Sequence, residues 1–271
     1  MNLFTTLNPI DLFQTIRRFN AVKTELLRLI ENHDVPPYPL NDRITHALHG
    51  SINLIDAHLL KLILRKYKPK TILEIGSFLG FSTRWMLEIS SEWGAAVTAV
   101  DPNIRHRIFD NPRAFVEGLN SEFYPDALEI ETAFFADSGL EVYYDYEHYE
   151  PKRDRQHVDE LLKNRGKIDG SGDTQNTWNR RFDFIFIDGN HAYEQVIGSV
   201  RNALPLLNQG GCIAFHDVFT WPGVQRALNE LEIEYKGKAE VTVHGRLDNF
   251  VLRTFLNKKT DGIGLFRLLD Q

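Results

Sequence analysis

The chain has little sulfur and no surplus of positive charge. Cys212 is its only cysteine, so it can form no internal disulfide, and its place in an apolar run indicates a small buried side chain. The formal net charge is -6, whereas binding to nucleic acid requires clustered Lys and Arg side chains. The short basic stretch from Lys152 to Arg155 is interrupted by Asp154 and reads as a solvated loop. We therefore expect no nucleic-acid partner.

The sequence also lacks a long hydrophobic segment. No run of about 18 uninterrupted apolar residues occurs, and no basic leader precedes an apolar stretch at its start. These absences predict a soluble, cytoplasmic protein with no membrane partner. With 271 residues the chain can bury a substantial core, and we favour one α/β domain with additions.

Apolar strands alternate with helical segments along most of the chain, which predicts a doubly wound, mostly parallel, seven-stranded Rossmann-like sheet. A C-terminal hairpin would close it, although a third segment, Asn249 to Leu256, also reads as a strand, and the choice stays open. The predicted strands are Thr71 to Ile75, Ala96 to Asp101, Leu128 to Phe135, Phe182 to Asp188, Gly211 to Phe215, Ala239 to His244 and Gly262 to Leu268.

Two segments lie outside this minimal pattern. Residues 1–50 form a helical extension, in which apolar side chains from Ile10 to Glu31 recur at a 3.6-residue period. This helix packs either on the sheet or on a partner subunit, so a homo-oligomer is one expectation. The remaining residues, 51–271, form the main domain. Its insertion at 139–181, between strands three and four, is either a lid over a substrate or a surface excursion.

The most informative local feature is the junction between the first strand and the next helix. Gly76 permits a positive φ at the bend, and Gly80 lets a ligand lie against bare backbone. The helix that begins near Phe81 directs its positive end at the turn. A dinucleotide fingerprint would need a glycine where Phe78 stands, and a phenylalanine there gives a diphosphate little room.

The pattern Glu74-x-Gly76-x-x-x-Gly80 instead resembles the first motif of class I S-adenosylmethionine-dependent methyltransferases. In that family the glycines pass under the methionine half of the cofactor, and the acidic residue contacts its amino group. The resemblance therefore implies S-adenosyl-L-methionine as cofactor. The residues expected to bind it at this turn are Glu74, Gly76, Ser77, Gly80 and Ser82.

Asp101 ends the second predicted strand, where an acid in nucleotide-binding α/β folds accepts hydrogen bonds from a ribose diol. The same carboxylate could also cap the turn that begins at Pro102, and the two roles are compatible. After the third strand, Asp137 and Ser138 stand where members of the resembled family hold the adenine ring.

A second polar group follows strands four and five, which are neighbours in such a sheet. Asp188, His216 and Asp217 would meet at one carboxyl edge, and two carboxylates facing one cleft are costly unless a cation joins them. Mg²⁺ suits the oxygen ligands, whereas Mn²⁺ would tolerate the imidazole better. Alternatively, Asp217 caps a helix and Asp188 contacts only the cofactor or the backbone.

From Ile52 to Leu268 the chain resembles metal-dependent small-molecule O-methyltransferases of the catechol and macrocin types. These enzymes place one acid after strand four and a pair, Asp-Asn or Asp-Asp, after strand five, so His216 departs from their pattern by standing where they usually carry an acid. At the offset of His191 from Asp188, catechol-type enzymes carry a basic residue that takes the substrate proton. His191 is thus the candidate catalytic base, with Asp188 beside it; alternatively, His191 caps the following helix.

The expected activity is methylation of a small-molecule hydroxyl, on a sugar or a natural product, with a divalent metal as an open question. Two alternatives remain at the level of sequence. One is a hydroxylase or oxidoreductase on a similar sheet, because fold alone does not fix chemistry. The other is a non-catalytic module that keeps the cofactor pocket and binds a partner.

Overall fold

A computed structural model describes residues 9–33, 38–103, 108–120, 122–135, 180–245 and 260–269. Seven strands form a single sheet in the order β3-β2-β1-β4-β5-β7-β6. Strands β1 to β5 are parallel, and β7 runs antiparallel to both of its neighbours, β5 and β6. The strands are β1 (Thr71–Ile75), β2 (Ala96–Asp101), β3 (Leu128–Thr132), β4 (Phe182–Ile187), β5 (Leu207–Phe215), β6 (Ala239–His244) and β7 (Ile263–Leu268).

Helices cover both faces of the sheet, so the fold has three layers. One core lies between the sheet and helices α1, α3, α4 and α5, and the other lies between the sheet and α6 and α7. The helices are α1 (Pro9–Asn32), α2 (Leu40–His49), α3 (Leu54–Tyr67), α4 (Phe81–Ser90), α5 (Pro112–Asn120), α6 (Tyr193–Ala203) and α7 (Pro222–Glu234).

The doubly wound, mostly parallel seven-stranded sheet predicted from the sequence is confirmed. Strand β3 ends at Thr132, earlier than predicted, and β5 begins at Leu207, earlier than predicted. Helices α2 and α5 were not predicted, because each is short, with 10 and 9 residues, and spans fewer than three helical turns. The predicted C-terminal hairpin forms from β6 and β7, whereas the rival strand from Asn249 to Leu256 lies outside the described residues.

Helix α1 packs against the domain through one apolar stripe and several polar contacts. Phe19, Val22, Leu26 and Ile30 are buried in the core that α1 shares with α3 and α4. The buried ammonium of Lys61 on α3 binds Asp11 of α1, with 2.7 Å between Nζ and Oδ1. A hydrophobic stripe at helical spacing thus attaches the N-terminal extension to the sheet layer.

Over the described part of the chain, no helix has the length and apolar character needed to cross a bilayer.

Candidate functional site

The turn after β1 sits at the carboxyl edge of the sheet, in close contact with the turn after β4. Gly76 has φ 86°, and a Cβ on it would lie 2.6 Å from the Cα of Gly189. Gly80 has φ 80° and precedes α4 without a side-chain cap. Phe78 is also in the left-handed region, at φ 46°, where a non-glycine residue is strained. The first N–H groups of α4 therefore face a tightly bent, strained turn.

Glu74 lies under this turn and is fully buried. Its Oε2 accepts a hydrogen bond from the Thr83 hydroxyl of α4, whereas Oε1 has no hydrogen-bond partner among the described residues. Burial raises the pKa of Glu74 to about 8, against the lowering effect of the Ser82 and Thr83 hydroxyls. The Ser77 hydroxyl is likewise buried and unpaired among the described residues. These two buried atoms without a partner favour a polar ligand group at this turn.

The side chain of Asp101, at the end of β2, binds backbone N–H groups of the glycine turn. Its Oδ2 accepts from the N–H groups of Ser77 and Phe78, at 3.1 and 3.2 Å, and its Oδ1 accepts from the N–H of Asn103 at 2.8 Å. Burial raises the pKa of Asp101, whereas these three hydrogen bonds lower it in part. The carboxylate thus shapes the turn, and Oδ1, which accepts only one of these bonds, keeps acceptor capacity for a further donor.

Two carboxylates and an imidazole converge at the ends of β4 and β5. The Nε2 atom of His191 lies 2.9 Å from Oδ2 of Asp217 and 3.7 Å from Oδ1 of Asp188. Although the first distance is short, Nε2 is not directed along a hydrogen bond, so the contact is ionic. Asp188, His191 and Asp217 each offer one ligand atom, and these atoms lie within 4.8 Å of one another.

The charge state of His191 follows from these neighbours. Burial lowers its pKa, but the carboxylates of Asp188 and Asp217 outweigh burial and raise the pKa to about 9. The imidazole is therefore protonated at neutral pH in the ligand-free protein. Its ring stacks on the indole of Trp221, with centroids 5.0 Å apart and planes inclined by 18°. Trp221 is 44% exposed, so part of its surface stays open to solvent beside His191.

The backbone at this edge is held in an unusual conformation. Asp217 has φ 64°, in the left-handed region that favours glycine, and its carbonyl accepts from the N–H of Trp221 at 3.0 Å. Gly223 of α7 lies against the carbonyl of His191, where a Cβ would come within 2.3 Å. The start of α7 thus fixes the His191 loop, and strain of this kind clusters at functional sites.

His216 lies behind the cluster of Asp188, His191 and Asp217, between Asp188 and Asp56 of α3. Its Nδ1 lies 3.0 Å from Oδ1 of Asp188, and its Nε2 lies 3.3 Å from Oδ2 of Asp56 on α3. Burial lowers the pKa of His216, but these carboxylates outweigh burial and raise the pKa well above its usual value. The buried imidazolium therefore bridges two carboxylates, which compensate its charge.

The sequence was compared with protein families. A family described as "Methyltransferase domain" matches residues 73–218, more than half of the chain. The chain belongs to this methyltransferase family. The resemblance to class I methyltransferases, stated from the Glu74-Gly76-Gly80 motif, is thereby confirmed at the level of the family. A search of curated proteins found no match.

Two solved structures share the fold. The methyltransferase PaMTH1 of Podospora anserina, described as SAH-bound, is 15% identical at a TM-score of 0.50, over 98% of this chain and 99% of that one. Rv0187 from MTB, described as cofactor-bound, is also 15% identical at a TM-score of 0.50, over 98% of this chain and 100% of that one. At this identity the likeness establishes the fold.

Within this methyltransferase fold, most of the sequence-derived candidates meet at one edge of the sheet. Glu74, Gly76 and Ser77 lie at the turn after β1, Gly80 and Ser82 at the start of α4, and Asp101 contacts the same turn. Asp188, His191 and Asp217 form a second cluster, to which His216 attaches. Asp137, Ser138 and nearly all of the 139–181 insertion lie outside the described residues.

Sequence reasoning missed Asp56. This carboxylate is fully buried on α3, between the apolar side chains of Ile55 and Ala57. A charged residue inside an otherwise apolar helix face was the available signal, because such a residue is rarely buried without partners. Its partner His216 is 160 positions away, so no local pattern connected the two.

Proposed function

We propose that this methyltransferase binds S-adenosyl-L-methionine at the turn after β1 and transfers its methyl group to a hydroxyl of a small molecule. The observation that supports the cofactor best is the buried Oε1 of Glu74, which has no partner among the described residues. The methionine half of S-adenosylmethionine carries an ammonium group, which would satisfy both Glu74 and the buried Ser77 hydroxyl. Its ribose would use the acceptor capacity that Asp101 retains.

The names of the two fold neighbours agree with this proposal. PaMTH1 is described as bound to SAH and Rv0187 as bound to cofactor. In this chain the adenine contact is assigned from the sequence alone to Asp137 and Ser138, and it stays a prediction.

The acceptor hydroxyl would lie at the cluster of Asp188, His191 and Asp217. Methyl transfer is an in-line displacement at the sulfonium carbon, so the protein must align the acceptor oxygen and remove its proton. His191 can accept that proton only in its neutral form, and the two carboxylates favour its protonated form. Something that withdraws the proton from His191, or that acidifies the acceptor, is therefore required.

A divalent cation would meet this requirement, and the donor set fits one. Two carboxylates and an imidazole nitrogen offer ligand atoms that lie within 4.8 Å of one another. We assign Asp188, Asp217 and Nε2 of His191 as the groups that would hold Mg²⁺ or Mn²⁺. With Nε2 bound to the cation, His191 could accept the acceptor proton only at Nδ1. Such a cation would supply the positive charge that lowers the pKa of an acceptor hydroxyl. His216, the third metal candidate from the sequence, faces carboxylates with both ring nitrogens, and the geometry favours His191 in its place.

Calorimetry with S-adenosylhomocysteine tests the cofactor site, with Asp101→Asn as the variant. Asp183 is a matched control, because its carboxylate also accepts from two backbone N–H groups, those of Lys70 and Thr71. These groups lie at the start of β1, and thus at the opposite edge of the sheet from the glycine turn. Both variants should lose stability. We expect Asp101→Asn to lower the affinity for S-adenosylhomocysteine at least tenfold. Asp183→Asn should leave this affinity within about twofold of wild type.

Equal affinities in the two variants would refute the ribose assignment of Asp101. Absence of binding to the wild-type protein would refute the cofactor itself.

A further inference from the structure

The Asp56 carboxylate accepts four hydrogen bonds besides its contact with His216. Its Oδ2 accepts from the Asn53 side chain at 2.5 Å and from the N–H of Asp261 at 2.9 Å. Its Oδ1 accepts from the Thr260 hydroxyl at 2.6 Å and from the N–H of Gly262 at 3.3 Å. These donors come from both ends of the domain sequence, so the carboxylate is a fixed point with no rotational freedom.

His216 connects this fixed point to the candidate site. It is 5% exposed, and its two ring nitrogens reach Asp56 and Asp188 at 3.3 and 3.0 Å. An imidazolium donates from both nitrogens, so one ring can bind both carboxylates at once. Movement of the ring toward or away from Asp56 would therefore move or release the Asp188 carboxylate.

The two carboxylates that contact this ring, those of Asp56 and Asp188, differ in the number of other groups that bind them. Asp56 has four other donors, whereas the contacts described for the Asp188 side chain are with His216 and His191 alone. A ligand carboxylate that lacks backbone donors needs support from outside the ligand set, and such support tunes affinity. Notably, Asp56 precedes the segment that matches the methyltransferase family, and Thr260 to Gly262 follow it.

We propose that Asp56 is a positioning residue which, through the imidazole of His216, fixes the Asp188 carboxylate for binding a divalent cation. This inference rests on the cation part of the proposed function and assigns to His216 a supporting role at the site. A purely structural role for Asp56, as a clamp between α3 and the start of β7, is the competing explanation.

Binding of Mn²⁺, followed by electron paramagnetic resonance, separates the two explanations. In Asp56→Asn we expect the Mn²⁺ affinity to fall about tenfold, in the range for lost support of a metal ligand. Asn53→Ala is the matched control, because it removes a donor to Asp56 and the cap of α3 but does not touch His216. It should lower the unfolding temperature and leave Mn²⁺ affinity within about twofold.

A double-mutant cycle then tests whether Asp56 acts through His216. In His216→Asn the amide can still donate to Asp188 but is too short to reach Asp56, so affinity should again fall about tenfold. Adding Asp56→Asn to His216→Asn should cause no further loss, because the connection is already broken. If Asp56→Asn does not fold, the loss in His216→Asn carries the test alone.

Additive losses, equal losses in Asn53→Ala and Asp56→Asn, or wild-type Mn²⁺ affinity in His216→Asn would overturn the proposal. Calorimetry with S-adenosylhomocysteine on the same samples keeps the two proposals apart. Wild-type protein that binds S-adenosylhomocysteine but not Mn²⁺ would remove this inference and the cation while the cofactor site stands. Wild-type protein that binds neither would remove the proposed function as well.

Discussion

Gly76 lies so close to Gly189 that neither turn has room for a side chain on Gly76. The built Cβ would be 2.6 Å from the Cα of Gly189 and 2.7 Å from the carbonyl oxygen of Asp188. Because both neighbours are backbone atoms, they cannot rotate away as a flexible side chain would. This contact sets the separation of the two turns, and hence of the cofactor turn from the Asp188 cluster.

We therefore expect Gly76→Ala to destabilise the protein strongly. Two costs combine at this position: the positive φ, about 1–2 kcal/mol for a residue with a Cβ, and the steric overlap, about 1–3 kcal/mol. A substitution at Gly94 measures the first cost without the second, because Gly94 has φ 68° and nothing lies within 4 Å of a Cβ built on it. Denaturant unfolding should show a loss of about 1 kcal/mol for Gly94→Ala and at least twice that for Gly76→Ala. Equal losses would show that the turns can separate freely.

The buried carboxyl of Glu74 predicts how the ligand-free protein responds to pH. Burial raises the pKa of Glu74 to about 8, so the folded state holds a proton that the unfolded state releases near pH 4.5. The resulting stabilisation is complete below about pH 4.5 and is lost as the pH rises through about 8. Glu74→Gln keeps the shape and removes this proton equilibrium. Relative to wild type, the variant should gain on the order of 1–3 kcal/mol between pH 5 and pH 9.

Thermal unfolding of both proteins across this range, without cofactor, measures the difference. Glu232→Gln on α7 is the control, since this side chain is exposed and its replacement should leave the profile unchanged. Parallel curves for wild type and Glu74→Gln would contradict the assignment of a proton to Glu74. The same variant should bind S-adenosylhomocysteine at least tenfold more weakly, because an amide cannot pair with an ammonium charge.

The pair of Asp11 and Lys61 predicts an asymmetry between its two partners. The Lys61 side chain is 2% exposed, and it binds Asp11 and the Thr15 hydroxyl at 2.7 and 2.6 Å. Asp11→Ala leaves a buried ammonium without its carboxylate and should cost about 3 kcal/mol. Lys61→Met removes the buried charge, while Arg65 still pairs with Asp11 at 3.1 Å, so the cost should be less than about half of that.

Denaturant unfolding of the two variants tests the asymmetry. Asp42→Ala is the control, because Asp42 also lies in the first turn of a helix but is exposed. It should cost only about 0.5 kcal/mol, the size of a charge interaction with a helix end. A larger loss for Lys61→Met than for Asp11→Ala would show that packing of the lysine stem, and not its charge, attaches α1.

Much of the fold and part of the site followed from the sequence by itself. Strands β1, β2 and β4 are short apolar runs that end at or directly before Gly76, Asp101 and Asp188, and a parallel sheet brings such ends to one edge. The glycine spacing after β1 distinguished a methyltransferase turn from a dinucleotide turn, and the family match agrees. These conclusions needed only periodicity and conformational limits, which are local properties of a chain.

Only the tertiary structure decided which carboxylates lie against which imidazole rings. It placed Asp56 of α3 against His216, turned both ring nitrogens of His216 toward carboxylates, and left His191 with Asp188 and Asp217. It also showed Asp101 holding the backbone of the glycine turn. Electrostatic contacts depend on distances of a few ångströms between residues far apart in sequence, and side-chain direction sets those distances. No periodicity encodes them, so they emerge only when the sheet brings its edges together.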